Sequence, residues 1–255
     1  MTLSIIRILD RTGDLNTFHK TACLHYRSYF PNLTNYENFM KAFNKAVGFI
    51  AAFIQVQLYL NQENCNENTF FLDSTPVTVC ENRYISSHKV EKAIASRGKS
   101  TKGWFYGFKL QGVCTKDGTL VKICFRPGSE HDSKAFDDST KGLKGIFVTD
   151  AGYLLKESEL KEMFESGRKP CTATRKNMNR LMSEEQFQLL NSRNIIENVW
   201  SVLKLNYNLI YHRARSITVM FCHFFYSISA FLFHKAHEIR KEFSSKLCVL
   251  EKLEF

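Results

Sequence analysis

The 255-residue chain reads as an α/β protein, a mixed sheet flanked by helices with helical N- and C-terminal segments. Three observations predict this. Apolar residues before Leu60 recur at helical spacing, those from Thr69 onward alternate or run together as in strands, and helical spacing returns beyond Ser183. With 44% hydrophobic residues the chain has enough apolar material for one large domain or one domain with helical extensions. The expected divisions are a helical segment over 1–65, a sheet domain over 66–215 and a second helical segment over 216–255.

Taken in order, Phe39, Phe43, Val47 and Ile50 fall on one face of a helix. Phe70-Phe71-Leu72-Asp73 reads as a buried strand ending near Pro76, since proline cannot donate to a central ladder. Trp104, Tyr106, Phe108 and Leu110 then alternate, as do Val121, Ile123 and Phe125, and Lys116-Asp117-Gly118 between them predicts an antiparallel hairpin. A short helix is expected over His131–Thr140, with Ser129 and Asp132 resembling a capping arrangement. Gly145-Ile146-Phe147-Val148-Thr149 is a compact apolar run suited to a strand buried on both faces, and Asp150 follows it. Leu155, Leu160, Met163 and Phe164 mark an amphipathic helix closed by Gly167, and 170–174 supply one more strand. Ser183-Glu184-Glu185-Gln186 has the form of a capping box, opening a helical stretch that runs past Glu197 with room for a break.

Composition narrows the function classes. A net charge of +10 favours polyanionic partners, nucleic acid or an anionic membrane face, without choosing between them. The eight cysteines show neither a C-x-x-C pair nor zinc-ligand spacing, so they read as reduced, mostly buried thiols. Met1–Arg7 show no basic region followed by an apolar core and a small-residue cleavage site, so a secretory signal is not expected. The longest apolar run, Ile217–Phe233, contains His223, Ser227 and Ser229 and falls short of the roughly 20 residues of a bilayer crossing, so a buried core helix and no membrane partner are expected.

Three carboxylates stand out by position. Asp73 and Asp150 close two buried strands, where an ionised group is costly unless a cation or hydrogen bonds compensate it. Glu197 lies on a late helix whose packed stripe is Ile196, Val199 and Leu203 and whose polar stripe is Arg193, Glu197, Ser201 and Lys204. Converging Asp, Asp and Glu make a hard-oxygen site for Mg²⁺ or Mn²⁺. Two such ions about 3.5–4 Å apart stabilise both the attacking and the leaving oxygen of a phosphoryl displacement. Singly, each acid has a plainer role: Asp73 and Asp150 can cap turns, and Glu197 can pair with Arg193 one helical turn away.

A basic stretch, with Lys89, Lys92, Arg97, Lys99 and Lys102 against the single acid Glu91, leads into Trp104, Phe105 and Tyr106, and suits a DNA backbone track. Its alternative is a solvated loop. Arg175, Lys176 and Arg180 form a second basic group with the same two readings. His131-Asp132 lacks the further histidines of a metal-dependent phosphohydrolase, and His234 and His237 lack a third ligand.

At this point a family resemblance becomes specific. Phe71-Leu72-Asp73-Ser74-Thr75-Pro76-Val77-Thr78-Val79-Cys80, Arg97-Gly98-Lys99-Ser100 leading to Gly103-Trp104-Phe105-Tyr106-Gly107-Phe108-Lys109-Leu110, Thr149-Asp150-Ala151-Gly152-Tyr153, Thr174-Arg175-Lys176-Asn177-Met178 and Ile195-Ile196-Glu197 resemble, in that order, the motifs of bacterial insertion-sequence DDE transposases, nearest to the group numbered nine-eight-two. Tyr29-Phe30-Pro31-Asn32-Leu33 and His212-Arg213-Ala214-Arg215-Ser216 extend the resemblance over nearly the whole chain. It implies a ribonuclease H-like fold over 66–215, with Asp73, Asp150 and Glu197 as the DDE triad binding two Mg²⁺ ions, for which Mn²⁺ can substitute. It implies cleavage of phosphodiester bonds at the element's ends and strand transfer into target DNA, so the partners are element ends and target DNA, in the cytoplasm of a bacterium beside its nucleoid. Arg97, Lys99, Lys102, Arg175 and Lys176 are then the expected DNA contacts, and a homodimer stays open. Relatives carry a further helical segment before the point matching Met1, so a shortened N-terminus is expected. Two alternatives share the fold: a catalytically silent DNA-binding remnant, and a ribonuclease H-like nuclease that never joins strands.

Overall fold

The computed structural model describes residues 1–12, 14–101, 103–174, 181–210 and 214–250, with side chains described as far as residue 238. The chain divides into two units. One, residues 58–202 with 215–217, carries the sheet; the other, residues 1–57, 203–214 and 218–255, is helical.

The sheet contains β1 (Thr69–Cys80), β2 (Ser96–Ser100), β3 (Gly103–Cys114), β4 (Leu120–Pro127), β5 (Gly145–Thr149) and β6 (Arg168–Thr172). The strand order is β2-β3-β1-β5-β6, and β4 also pairs with β3. β1, β2 and β4 are antiparallel to β3, whereas β5 runs parallel to both β1 and β6. β3 takes β2 along Gly103–Gly107 and β4 along Phe108–Cys114. The changeover is tight: a Cβ on Gly128 would stand 2.7 Å from the Ser96 carbonyl oxygen, so only glycine fits. This mixed sheet with packed helices is the α/β architecture that the residue pattern predicts and fits the ribonuclease H-like fold that the family resemblance implies, and the β3–β4 hairpin forms where alternation places it.

One sheet face is closed by a core of Phe70, Leu72, Val113, Val121 and Phe147 under Phe136 of α5 (Phe136–Thr140), Tyr153 and Met163 of α6 (Glu157–Glu165). Each such fully buried side chain contributes about 1.5–3 kcal/mol of transfer free energy. The late helical stretch breaks once, between α7 (Glu184–Asn191) and α8 (Asn194–Asn206). The predicted capping box opens α7, with the Ser183 hydroxyl accepting from the Gln186 N–H and the Gln186 side chain accepting from the Ser183 N–H, both at 3.2 Å.

Three local expectations need correction. β1 does not end near Pro76 but continues to Cys80, and Asp73 therefore lies within the strand rather than closing it. Pro76 is tolerated because β5 pairs only with Thr69–Phe71, which leaves that edge of β1 without a strand partner where the proline sits. The helix expected over His131–Thr140 is a 3₁₀ turn, Asp132–Ala135, followed by α5, and Asp132 is not a cap. Finally β2, absent from the sequence reading, is built from Ser96-Arg97-Gly98-Lys99-Ser100, an edge segment in which only Gly98 is buried and no apolar alternation exists to announce it.

The helical unit begins with α1 (Thr2–Leu9), α2 (Leu15–His25), α3 (Tyr36–Lys45) and most of α4 (Val47–Glu63). Leu3, Phe18, Ala22 and Phe39 form one cluster in it. α9 (Ile217–Leu250) is longer than the apolar run suggests, and its Ile217–Glu238 portion is long and apolar enough to cross a bilayer, so the length argument against a span does not hold. Burial and polar contacts decide instead. Met220, Cys222, Phe224, Tyr226 and Ile228 are inaccessible, the Tyr226 hydroxyl donates to the Phe43 carbonyl at 3.0 Å, and His223 accepts from Arg7 at 3.2 Å while donating to the Asn208 carbonyl at 2.7 Å. These are the contacts of a core helix.

Candidate active site

The parallel pairing of β1 with β5 sets two of the three acids side by side. Phe71 pairs with Val148, so Asp73 and Asp150, each two residues further on, leave the same end of the shared ladder. Ligand sites of such sheets lie at this carboxyl end. Asp73 stands opposite Gly112 of β3 and shares its sheet face. A Cβ on Gly112 would fall 2.6 Å from the Trp200 ring, so the missing side chain is what admits α8 against that face. Ile196, Val199 and Trp200 are buried there, and Glu197 lies on the more open side of the same helix.

Arg193 joins two of the acids. Its guanidinium lies 2.8 Å from a Glu197 carboxylate oxygen and 3.8 Å from one of Asp150. Asp150 also caps its own turn, accepting from the Gly152 N–H at 2.9 Å. The plainer roles of Asp150 and Glu197 are therefore real, and they coexist with convergence on a single cation. Asp73 is drawn into the same field: burial above all pushes its carboxyl up to about 7, the negative charges of Asp150 and Glu197 push it the same way, and the Ser74 N–H and Arg193 oppose the rise.

Beside this group lies a second polar cluster. Asp132 accepts from the Ser74 hydroxyl at 2.9 Å and from the Lys109 ammonium at 3.1 Å, and Lys109 also donates to the Glu130 carbonyl at 2.9 Å. Gln111 donates to the Tyr153 hydroxyl at 3.1 Å while its own carbonyl oxygen is buried without a partner. Because Ser74 follows Asp73 and Tyr153 follows the Asp150 turn, this cluster ties together the two backbone segments that carry the acids. Sequence reasoning missed it. Asp132 and its partners are 58 and 23 residues apart, beyond any local pattern. The Arg193–Asp150 contact was equally hidden, whereas the Arg193-x-x-x-Glu197 spacing was legible.

The donor chemistry suits a divalent cation: three hard carboxylates that sense one another, two of them already sharing a positive charge. Among the described residues, however, no group of three His, Cys, Asp or Glu side chains stands close enough to hold one ion, and the cation the acids share is Arg193. Of the expected DNA contacts, Arg97 and Lys99 are exposed on β2, and Lys102, Arg175 and Lys176 lie outside the described residues.

Residues 63–217 match the family model described as the transposase DDE domain. No curated protein and no solved structure matches the chain.

Proposed function

Since the chain belongs to the transposase DDE-domain family, we propose that it is a DNA transposase of the insertion-sequence type, resembling the group numbered nine-eight-two, that cleaves phosphodiester bonds at element ends and transfers the freed strand into target DNA. The observation that carries this reading is the parallel β1–β5 register, which sets Asp73 beside Asp150 at one ladder end, together with the field that Asp73 receives from both Asp150 and Glu197. In this reading Asp73, Asp150 and Glu197 would hold two Mg²⁺ ions, with Mn²⁺ as a substitute, once the carboxylates draw closer together and Arg193 gives up its place between Asp150 and Glu197. When bound, the ions supply a polarised water or 3′-hydroxyl and charge stabilisation at both oxygens of the displacement.

The chain's own groups have separable tasks. Asp73, from within β1 and opposite Gly112 of β3, offers a carboxylate whose backbone is held by that ladder. Glu197, from α8, closes the site from across the face. Arg193 balances Asp150 and Glu197 so that the acids do not drive one another apart. The exposed cations of β2 bring the polyanion to the sheet edge. A second reading, a catalytically silent DNA-binding relative, is favoured by that same Arg193, which already neutralises two of the three acids.

The experiment is cleavage of a labelled duplex carrying the DNA that flanks the gene, in Mg²⁺ or Mn²⁺. Asp73→Asn, Asp150→Asn and Glu197→Gln each keep side-chain volume and remove one charge, and each is expected to abolish cleavage while DNA binding survives. Full activity in any of the three removes that residue from the triad. A wild-type chain that binds DNA but cuts in neither metal selects the silent reading.

A further inference from the structure

The chain has two tryptophans, and the fold treats them in opposite ways. Trp200 is 4% exposed, packed where Gly112 leaves room, while Trp104 is 57% exposed at the start of β3. An aromatic ring of this size left in water forgoes a large burial gain unless something covers it. Its surroundings indicate what that is. Trp104 faces Lys99 across the β2–β3 ladder, the Lys99 ammonium lies 5.8 Å from the ring centroid, and the Arg97 guanidinium carbon lies 5.9 Å from it. Both cations are exposed. Glu91, the only acid between Arg83 and Lys109 in the sequence, is fully buried against His88, and among the described residues no carboxylate forms an ion pair with Arg97 or Lys99. The backbone that carries the ring is also anchored. The Asn82 side chain donates to the Trp104 carbonyl at 2.8 Å, and the neighbouring Phe105 is buried.

A solvent-exposed aromatic ring with two long, exposed cations over it is complementary to a nucleobase with its neighbouring phosphates: the base can take the stacking surface as the two side chains swing from the ring to the phosphates. A base inside a duplex has both faces covered by its neighbours, whereas an unpaired base offers both a free face and a flexible backbone that can follow the two cations. We propose that Trp104, Arg97 and Lys99 form a stacking site for an unpaired base of single-stranded DNA. The proposal deepens the DNA-binding part of the function above and rests on it, but it assigns this edge to an unpaired base rather than to a duplex backbone.

The test uses the full chain, an oligothymidylate and a duplex of the same length, following binding by anisotropy of a labelled strand and stacking by intrinsic tryptophan fluorescence. Buried Trp200 supplies the constant background. The single strand is expected to quench the exposed tryptophan and the duplex to bind without quenching it. Trp104→Phe keeps an aromatic face, so it should retain affinity within about twofold and lose the quenching signal. Trp104→Ala should weaken single-strand binding roughly five- to a hundredfold with an unchanged salt slope. Lys99→Ala should instead lower that slope by about 0.7. Single-strand binding without quenching, equal quenching by the duplex, or unchanged affinity in Trp104→Ala overturns the stacking site while leaving DNA binding intact. Absence of binding to either DNA overturns the DNA reading and the stacking site with it.

Discussion

Replacing Asp73 with asparagine should stabilise the metal-free protein, and by an amount that depends on pH. The Asp73 carboxyl is raised from its ordinary 3.8 to about 7, mainly by burial and then by the charges of Asp150 and Glu197. Between those two pH values the folded chain holds a proton that the unfolded chain has released, so stability falls as pH rises through the window. At 1.36 kcal/mol per pH unit the full loss is about 4 kcal/mol. Asp73 is only partly enclosed, and water on its open side trims the effect to roughly 2–4 kcal/mol. Asparagine keeps the shape and carries no charge at any pH. The variant should therefore match the wild type near pH 4 and exceed it above pH 7, by roughly 5–15 °C in Tm at about 2–4 °C per kcal/mol for a chain of this size. The assay is thermal melting of both proteins in EDTA from pH 4 to 8.5. Mg²⁺ added at pH 8 should raise the wild-type Tm and leave the variant nearly unmoved. Parallel melting profiles, with no divergence between pH 4 and 8, would refute the buried, mutually repelling carboxylate on which the site rests.

Two further outcomes follow from the same geometry. Gly112→Ala inserts a methyl 2.6 Å from the Trp200 ring, and should cost about 1–3 kcal/mol in urea denaturation as α8 is pushed off the sheet; unchanged stability would mean that α8 is not seated on that glycine. Arg193→Met removes the cation between Asp150 and Glu197. Because both carboxylates are about half exposed, the loss at pH 8 in EDTA should stay within about 1 kcal/mol, but the melting transition that reports Asp73 should move to higher pH, and an unmoved midpoint would remove Arg193 from that field.

Elements whose stabilising pattern is local can be read along the chain. Alternation made the β3–β4 hairpin legible, the Ser183-x-x-Gln186 box marked the start of α7, and the Ile196, Val199 and Leu203 stripe showed which side of α8 would be buried. The candidates Asp73, Asp150 and Glu197 stand out in the sequence for the same reason: each sits beside an apolar run. What the sequence could not determine were features made by partners distant along the chain. β2 exists because β3 offers it an edge, not because Ser96–Ser100 has strand periodicity. β1 runs on through Pro76 because the parallel partner stops at Phe71, which no pattern within β1 records. Asp132 looked like a cap because its local context, Ser129 three residues before, is that of a helix start; its actual partners, Ser74 and Lys109, come from two other strands. Arg193 looked like the partner of Glu197 alone, and only the seating of α8 over Gly112 brings its guanidinium to Asp150 as well. Periodicity and capping are properties of neighbouring residues and can be read along the chain, but the charge that a buried acid feels depends on which strands and helices lie beside it, and that is decided only when they pack.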